Sequence, residues 1–348
     1  MPAVTTEQLK RWTIRTAIGA ATVVVLGSVL AVLLWRDRGS IESIDWHQYP
    51  IFEATTDAVT FTWLGVSTLL FDDGETQILI DGFFSRPSLA DIVLGRSVES
   101  HAATINRVID EYRMRRLAAI IPVHSHFDHA MDIGAIANRT SASILGSETS
   151  ANIARGAGVP EDQIVVVESG EEYNFGRFTV TLIDSVHAPV GWGGSVPYAG
   201  TLDQPLQTPA PVSAWREGNS YSIVIGHPQG TTVVQGSSGF VEGRLVGIQA
   251  DTVMLSVALL EGLGQDYTQR YWQALVTATG AAHVLPIHFD DFTQPFGEIR
   301  LYPRVIDDFV EVAGWLESSR QSWDLDVRLH IPEFGRQVVA YPPASPET

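Results

Sequence analysis

From residue 58 onward, short apolar runs alternate with stretches whose apolar residues recur every three or four positions, a pattern that predicts an α/β architecture. Residues 61–64, 67–71 and 77–80 are β-rich runs, the last two joined by the turn Asp72-Asp73-Gly74-Glu75. In 100–116 the apolar residues Ala102, Ile105, Val108, Ile109 and Tyr112 fall on one helical face. Residues 117–123 (LAAIIPV) form a continuous apolar run, as expected of a strand buried on both faces. Further strands are predicted at 164–167, 178–183, 222–225, 231–234, 252–256 and 282–286, and helices at 266–279 and 302–319. Between Ala188 and Glu217 the pattern lapses into a Gly- and Pro-rich stretch, a length of loop that usually carries function. The end, 341–348 (YPPASPET), reads as disordered.

One segment has no polar face at all. Residues 16–35 (TAIGAATVVVLGSVLAVLLW) run for twenty positions without a charge, and as a helix they span about 30 Å, the hydrocarbon thickness of a bilayer. A cleavable secretory signal has a shorter apolar region followed by small residues; this run ends LLWRDRGS, which predicts an uncleaved anchor. Lys10, Arg11, Arg15 and the terminal amine precede the span, while Arg36 and Arg38 follow it. The positive-inside rule then leaves the N-terminus in the cytoplasm and the body outside, which in a bacterium means a single pass through the inner membrane and a periplasmic body. The expected organisation is a cytoplasmic 1–15, an anchor at 16–35, a linker at 36–57, a body at 58–335 and a tail at 336–348.

Composition narrows the chemistry. The 348 residues suit one large α/β domain or two small ones, with an ample core. The absence of Cys excludes disulfides, zinc ribbons, iron–sulfur clusters and thiol nucleophiles. The net charge is −18, and residues 39–348 hold 17 basic against 38 acidic side chains. Such a body repels polyphosphate, so nucleic acid is not an expected partner.

The candidate chemistry lies in the histidines. Of ten, three fall within His124-Ser125-His126-Phe127-Asp128-His129, directly after the buried strand and before a helical pattern. Neutral imidazoles and a carboxylate at that density suit Zn²⁺, Fe or Mn rather than Ca²⁺ or Mg²⁺. His124 and His126 point one way from an extended segment, and Asp128 and His129 point another at the turn into the helix, which implies two metals. His283 reads as core and His227 as a turn residue, while His47, His101 and His330 have no clustered partners. Gly191–Gly194 lacks the strand–turn–helix setting of a dinucleotide site, and Gly236-Ser237-Ser238-Gly239-Phe240 is no nucleophile elbow.

The motif His124-x-His126-x-Asp128-His129 resembles the signature of the metallo-β-lactamase fold hydrolases. ILIDG, ending at Asp81 and Gly82, is similar to that family's early strand-end Asp, which supports the ligands from behind; His187 (DSVHAP) and His288 (PIHFDD) match its later ligands in order. The resemblance covers residues 58 to 335 and implies a four-layer αβ/βα sandwich. It implies one metal on His124, His126 and His187 and a second on Asp128, His129 and His288, zinc by preference with manganese or iron as alternatives. Ser237 stands where many members carry a bridging Asp, which predicts weaker occupancy of the second site. The implied activity is attack by a metal-activated water or hydroxide on an ester, lactone or phosphodiester bond, with Asp128 orienting the nucleophile. The PIHFD ending is similar to the branch of sugar-phosphate lactonases and N-acyl-phosphatidylethanolamine phospholipases, and the expected partner is a small-molecule or lipid-derived substrate. Trp192 and Tyr198, with Leu206 and Pro209, are candidates for an apolar substrate wall or lid; the alternative is that they pack the loop onto the body. The competing readings are a redox enzyme of the flavodiiron kind, a non-catalytic metal-binding protein on the same fold, and a true β-lactamase.

Overall fold

A computed structural model describes residues 5–49, 58–323 and 326–341. Helix α1 (Thr6–Arg36) opens the chain, started by a capping box between Thr5 and Gln8 and exposed along its length. Among the described residues it is the one helix long and apolar enough to cross a membrane. It takes in the predicted span and starts ten residues before it.

The body consists of two mixed sheets. The first runs β1 (His47–Gln48), β16 (Arg328–Ile331), β15 (His283–Ile287), β14 (Thr252–Ser256), β13 (Gly230–Gln235), β12 (Tyr221–His227), β10 (Phe178–Asp184), β9 (Glu172–Phe175). The second runs β17 (Gln337–Val339), β2 (Thr60–Trp63), β3 (Leu69–Asp72), β4 (Gln77–Ile80), β6 (Leu117–Ile121), β7 (Ser143–Gly146), β8 (Ile164–Val166). A small ribbon pairs β5 (Ser97–Val98) with β11 (Ala210–Pro211). Each sheet is antiparallel on one side and parallel on the other, the change falling at β13 and at β4. Parallel pairs need crossover connections, and these supply α3 (Ala102–Glu111), α5 (Ile133–Thr140), α6 (Glu148–Gly156), α8 (Gln265–Trp272) and α9 (Phe309–Ser322). The short helices α2 (Leu89–Val93), α4 (Phe127–Ala130) and α7 (Leu260–Leu263) lie in strand-end loops.

Alternation along the strands builds two buried layers. Leu69, Phe71, Ile78, Ile80, Ala119 and Ile121 join the core shared by the sheets. Their neighbours Leu70, Leu79 and Ile120 face the opposite way, against Ile105, Val108 and Ile133 of α3 and α5. The apolar run after Arg116 is therefore buried on both faces, as its lack of alternation predicts.

Three expectations need correction. The predicted helix at 302–319 starts only at Phe309, because Asp308 is its N-cap and accepts from the backbone N–H groups of Val310 and Glu311. Arg38–Tyr49 is not a free linker: Arg38 forms a β-bridge with Pro303 and an ion pair with Asp291 (2.8 Å), β1 pairs with β16, and buried Tyr49 donates to the Ala340 carbonyl. Ile41, Ile44 and Trp46 pack against the core, which gives this segment a reason to dock. The expected tail begins with a strand, since β17 closes the second sheet against β2. Residues 50–57 of the expected linker and 342–348 of the expected tail lie outside the described residues. Strands β7, β9, β16 and β17 were too short or too polar to read from periodicity.

The long stretch from Ala188 to Glu217 is packed rather than free. Leu206 N–H donates to the Asn152 carbonyl, the Asn152 side chain donates to the Leu202 carbonyl, and both leucines pack against the second core layer. A Cβ on Gly156 would sit 1.8 Å from the Leu206 carbonyl oxygen. Gly156→Ala is therefore expected to cost about 2 kcal/mol through overpacking, a fall of roughly 5 °C in Tm by calorimetry; an unchanged Tm would mean the loop is not tied to α6.

Candidate metal centre

Strand β6 ends at Ile121, and the next eight residues deliver the motif. The rigid mount is Asp81, fully buried at the end of β4. Its Oδ1 accepts from the Val123 N–H (2.8 Å), and its Oδ2 from Ser67 Oγ (2.6 Å) and His129 Nδ1 (2.8 Å). With Nδ1 donating to Asp81, His129 turns the Nε2 lone pair inward. His126 donates from Nε2 to the Pro197 carbonyl (2.8 Å), leaving Nδ1 as its inward atom. His187 donates from Nδ1 to the Ala188 carbonyl (2.8 Å), leaving Nε2.

These orientations gather six donors into two sets. His124, His126 and His187 form one, and Asp128, His129 and His288 the other; within each, the ligand atoms lie within 4.8 Å of one another. His124 Nε2 faces His126 Nδ1 at 3.0 Å, and Asp128 Oδ2 lies 3.4 Å from His288 Nε2 and 3.6 Å from His129 Nε2. The sets abut, the rings of His124 and His129 being 4.0 Å apart. Burial, then the neighbouring imidazoles, holds His124 well below the usual histidine range. Burial likewise brings His126 and His187 down to about 4. Burial opposes ionisation of Asp128, but His129, His288 and His126 outweigh it and keep the carboxyl below its usual range. The neutral imidazoles of His124, His126 and His187 and the ionised carboxylate of Asp128 are in the protonation states that a metal requires; burial opposes protonation of His129, but Asp128 and Asp81 outweigh it and raise its pKa. Five ring nitrogens with one carboxylate, three of the rings fixed from behind, fit a pair of borderline divalent cations.

Three backbone positions around the donors are strained. Val66, Asp81 and His288 all have left-handed backbones, φ 50°, 58° and 63°, a conformation that costs non-glycine residues about 1 kcal/mol each. The His288 N–H donates to the Val66 carbonyl (2.9 Å), and Asp290 Oδ1 accepts from the Val66 N–H (2.7 Å). Arg86 pairs with Asp290 Oδ2 at 3.3 Å, both side chains buried. This network turns His288 toward Asp128. Ser67 and Arg86 were invisible to sequence reasoning, since their spacing from the motif is set by the sheet order and carries no local signal; Asp290 stood in the PIHFD ending, but its part in the network did not show there.

A cavity of about 260 Å³ opens on the six donors. Ile92, Val190, Leu259, Phe292 and Ile306 form its apolar wall, and Tyr198, Ser237 and Tyr302 also line it. Trp192, expected on the substrate wall, does not line this cavity: it is 98% exposed on a turn whose Gly193 and Gly194 are left-handed. Leu206 packs on the body instead of the cavity. Ser237 Oγ accepts from the Ala188 N–H (3.0 Å), so the hydroxyl holds the backbone beside His187. His283 and His330, read as having no metal partners, hydrogen-bond each other (3.0 Å) beside Tyr49, which corrects the view of His330 as isolated. His227 is buried against Asp73 and Phe178. A larger cleft of about 430 Å³ lies between residues 41–49 and β2; its lining includes Ile41, Trp46, Tyr49 and Trp63.

Back-to-back mixed sheets, helices from the crossovers, and two three-donor sets at adjacent strand ends make up a metallo-β-lactamase fold with a candidate metal centre. No protein-family model matches the chain. It is similar to a UPF0173 metal-dependent hydrolase of Heliobacterium modesticaldum, 23% identical over 262 residues, 72% of this chain and 90% of that one. Further relatives of the same name are matched over 47% to 84% of their lengths. Among solved structures, it is similar to a possible metal-dependent hydrolase from Veillonella parvula, with TM-score 0.50, 14% identity, and coverage of 81% of this chain and 99% of that one. It is also similar to CmlA, a diiron β-hydroxylase from Streptomyces venezuelae, with TM-score 0.52, 12% identity, and coverage of 82% and 55%.

Two predictions follow from this geometry. Asp81→Ala frees His129 Nδ1 and is expected to weaken metal binding 10- to 100-fold, measured by competition with a chromophoric chelator; unchanged affinity would show that Asp81 does not set the ligand. Asp307 carries a pH dependence: its Oδ2 accepts from the Leu259 N–H (2.9 Å), its Oδ1 is buried without a partner, and burial pushes its pKa up to about 7 from an ordinary 3.8. Because the folded state keeps this proton longer than the unfolded state, stability falls as pH rises from about 4 to 7. Asp307→Asn is expected to stabilise by a few kcal/mol at most above pH 7 and not at pH 4; a gain independent of pH would refute the assignment.

Proposed function

We propose that the protein is a membrane-anchored hydrolase with a two-metal centre that attacks a neutral carbonyl ester or lactone. The observation that carries it is the pairing of His124, His126 and His187 with Asp128, His129 and His288, with His126 and His187 oriented by backbone carbonyls and His129 by Asp81. Bound there, divalent cations lower the pKa of a water and polarise the oxygen under attack. The chain's own contribution is orientation. Asp128, ionised and reaching the cavity, accepts a hydrogen bond from the attacking water and fixes the direction of its lone pair. Phe127, Phe292 and the apolar wall exclude bulk water from the reacting bond.

The lining favours carbonyl over phosphoryl chemistry. Among the described residues that line the cavity there is no Arg or Lys, the side chains that clamp phosphate oxygens. A sugar phosphate would leave its phosphate uncompensated beside apolar walls, whereas an acyl ester or lactone would place its chain against them. The support for anchoring is the 31-residue apolar helix α1, and its flanking charges favour a body outside the cytoplasm. Zinc is the preferred ion for this donor set; iron stays in the test series because one structural neighbour is a diiron enzyme.

The test uses the full chain in detergent, loaded with zinc, manganese or iron. Close to two metals per chain, with loss in His126→Ala, is expected by mass spectrometry. One metal, retained on His124, His126 and His187, would mean that Ser237 has removed the second site; none would favour a non-catalytic protein. The loaded protein is then expected to hydrolyse medium-chain esters or lactones in preference to phosphodiesters, and the reverse preference would overturn the carbonyl reading.

A further inference from the structure

Apolar exposure on the body is concentrated at one place. Outside α1, ten large apolar side chains of the described residues are exposed, and seven of them lie within three residues of the wall of the metal-site cavity. Ile92 lines the cavity, and the next two residues, Val93 and Leu94, are exposed. Val190 lines it, and Trp192, two residues on, is 98% exposed. Ile306 both lines it and reaches solvent beside Val305. A soluble enzyme has no need of exposed apolar side chains beside so many segments of its active-site mouth, and such a concentration marks a docking surface.

The end of α1 identifies what docks there. The helix stops at Arg36, and no free linker follows it. The Arg304 N–H donates to the Asp37 carbonyl (2.9 Å), Arg304 Nε lies 3.7 Å from Asp37 Oδ1, and Arg38 bridges Pro303 and pairs with Asp291. Val305 and Ile306 come next in the chain, so the rim starts within about 8 Å of the helix end along the backbone. Whatever surface α1 runs into must meet this rim.

We infer that the rim formed by Val93, Leu94, Trp192, Val305 and Ile306 is seated in the bilayer that α1 enters, so that the metal-site cavity opens onto the lipid leaflet. The inference rests on the reading of α1 as an anchor and adds an orientation and a route: an amphiphilic substrate slides from the leaflet along Ile306 and Ile92 with its apolar part leading. Trp192 on its short turn is the interfacial side chain of the rim, a role suited to an indole with one apolar and one polar edge. The acidic body contributes no general attraction to an anionic bilayer, so the contact depends on apolar insertion and on the helix.

The chain has no Cys, so single probes can be placed without a background. Full-length Val93→Cys, Trp192→Cys and Val305→Cys, each carrying an environment-sensitive fluorophore, are reconstituted into phosphatidylcholine–phosphatidylglycerol vesicles containing lipids with a quencher on the acyl chain. Leu26→Cys in α1 and Val166→Cys at the end of β8 serve as references. The expected result is a blue shift and strong quenching at the three rim positions and at Leu26→Cys, with neither at Val166→Cys. Quenching at Leu26→Cys with rim probes as unquenched as Val166→Cys would overturn the docking while leaving the anchor intact. Rim probes that shift to the blue without quenching would mean that protein covers the rim, which also overturns it. No quenching at Leu26→Cys would remove the anchor and this inference together.

Discussion

One buried carboxylate organises the centre. Asp81 has no exposed surface and spends its acceptor positions on three groups from different parts of the chain: Ser67 after β2, the Val123 N–H after β6 and the ring of His129. The anion in a dry site is tolerated only because each contact is made. In return it fixes the exit of the motif strand and decides which nitrogen of His129 faces inward. The other ligands depend on the same exit, since His124 and His126 are one and three residues beyond Val123.

The rest of the centre is held against its own backbone preferences. Val66, Asp81 and His288 adopt left-handed conformations; Val66 and His288 are locked by hydrogen bonds reaching across the two sheets, and Asp81 by bonds to the loops beside its own strand. Buried Arg86 and Asp290 complete this lock. Breaking such a pair strands a charge in a low-dielectric interior, so its value here is the unique orientation of His288 rather than net stability. Ser237 fits the same economy. Its hydroxyl positions the backbone beside His187, a supporting task, and the second donor set is assembled without a bridging carboxylate.

The segment after α1 links location to chemistry. Arg38 reaches the loop that follows His288 through Asp291, and Asp37 reaches Arg304 beside the cavity wall. The body is thereby mounted on the helix through the loop that shapes the substrate cavity. Polar residues 36–49 resemble a linker by composition, yet Ile41, Ile44, Trp46 and Tyr49 find apolar surface to cover, and burial of that area outweighs the freedom lost.

Local pattern alone determined a good deal. Twenty uncharged residues make α1 long and apolar enough to span a bilayer, two-face burial makes the strand before His124, and His124, His126, Asp128 and His129 within six positions mark a metal site, because hydrophobic periodicity and ligand chemistry are written in neighbouring residues. Only the tertiary structure decided what acts between distant residues. It paired His187 with His124 and His288 with Asp128, set Asp81, Ser67 and the Arg86–Asp290 pair behind them, turned Trp192 out of the cavity, and packed 38–49 and 337–341 into the body. Those outcomes depend on sheet order and on backbone conformations that single residues disfavour, and neither is encoded by spacing along the chain.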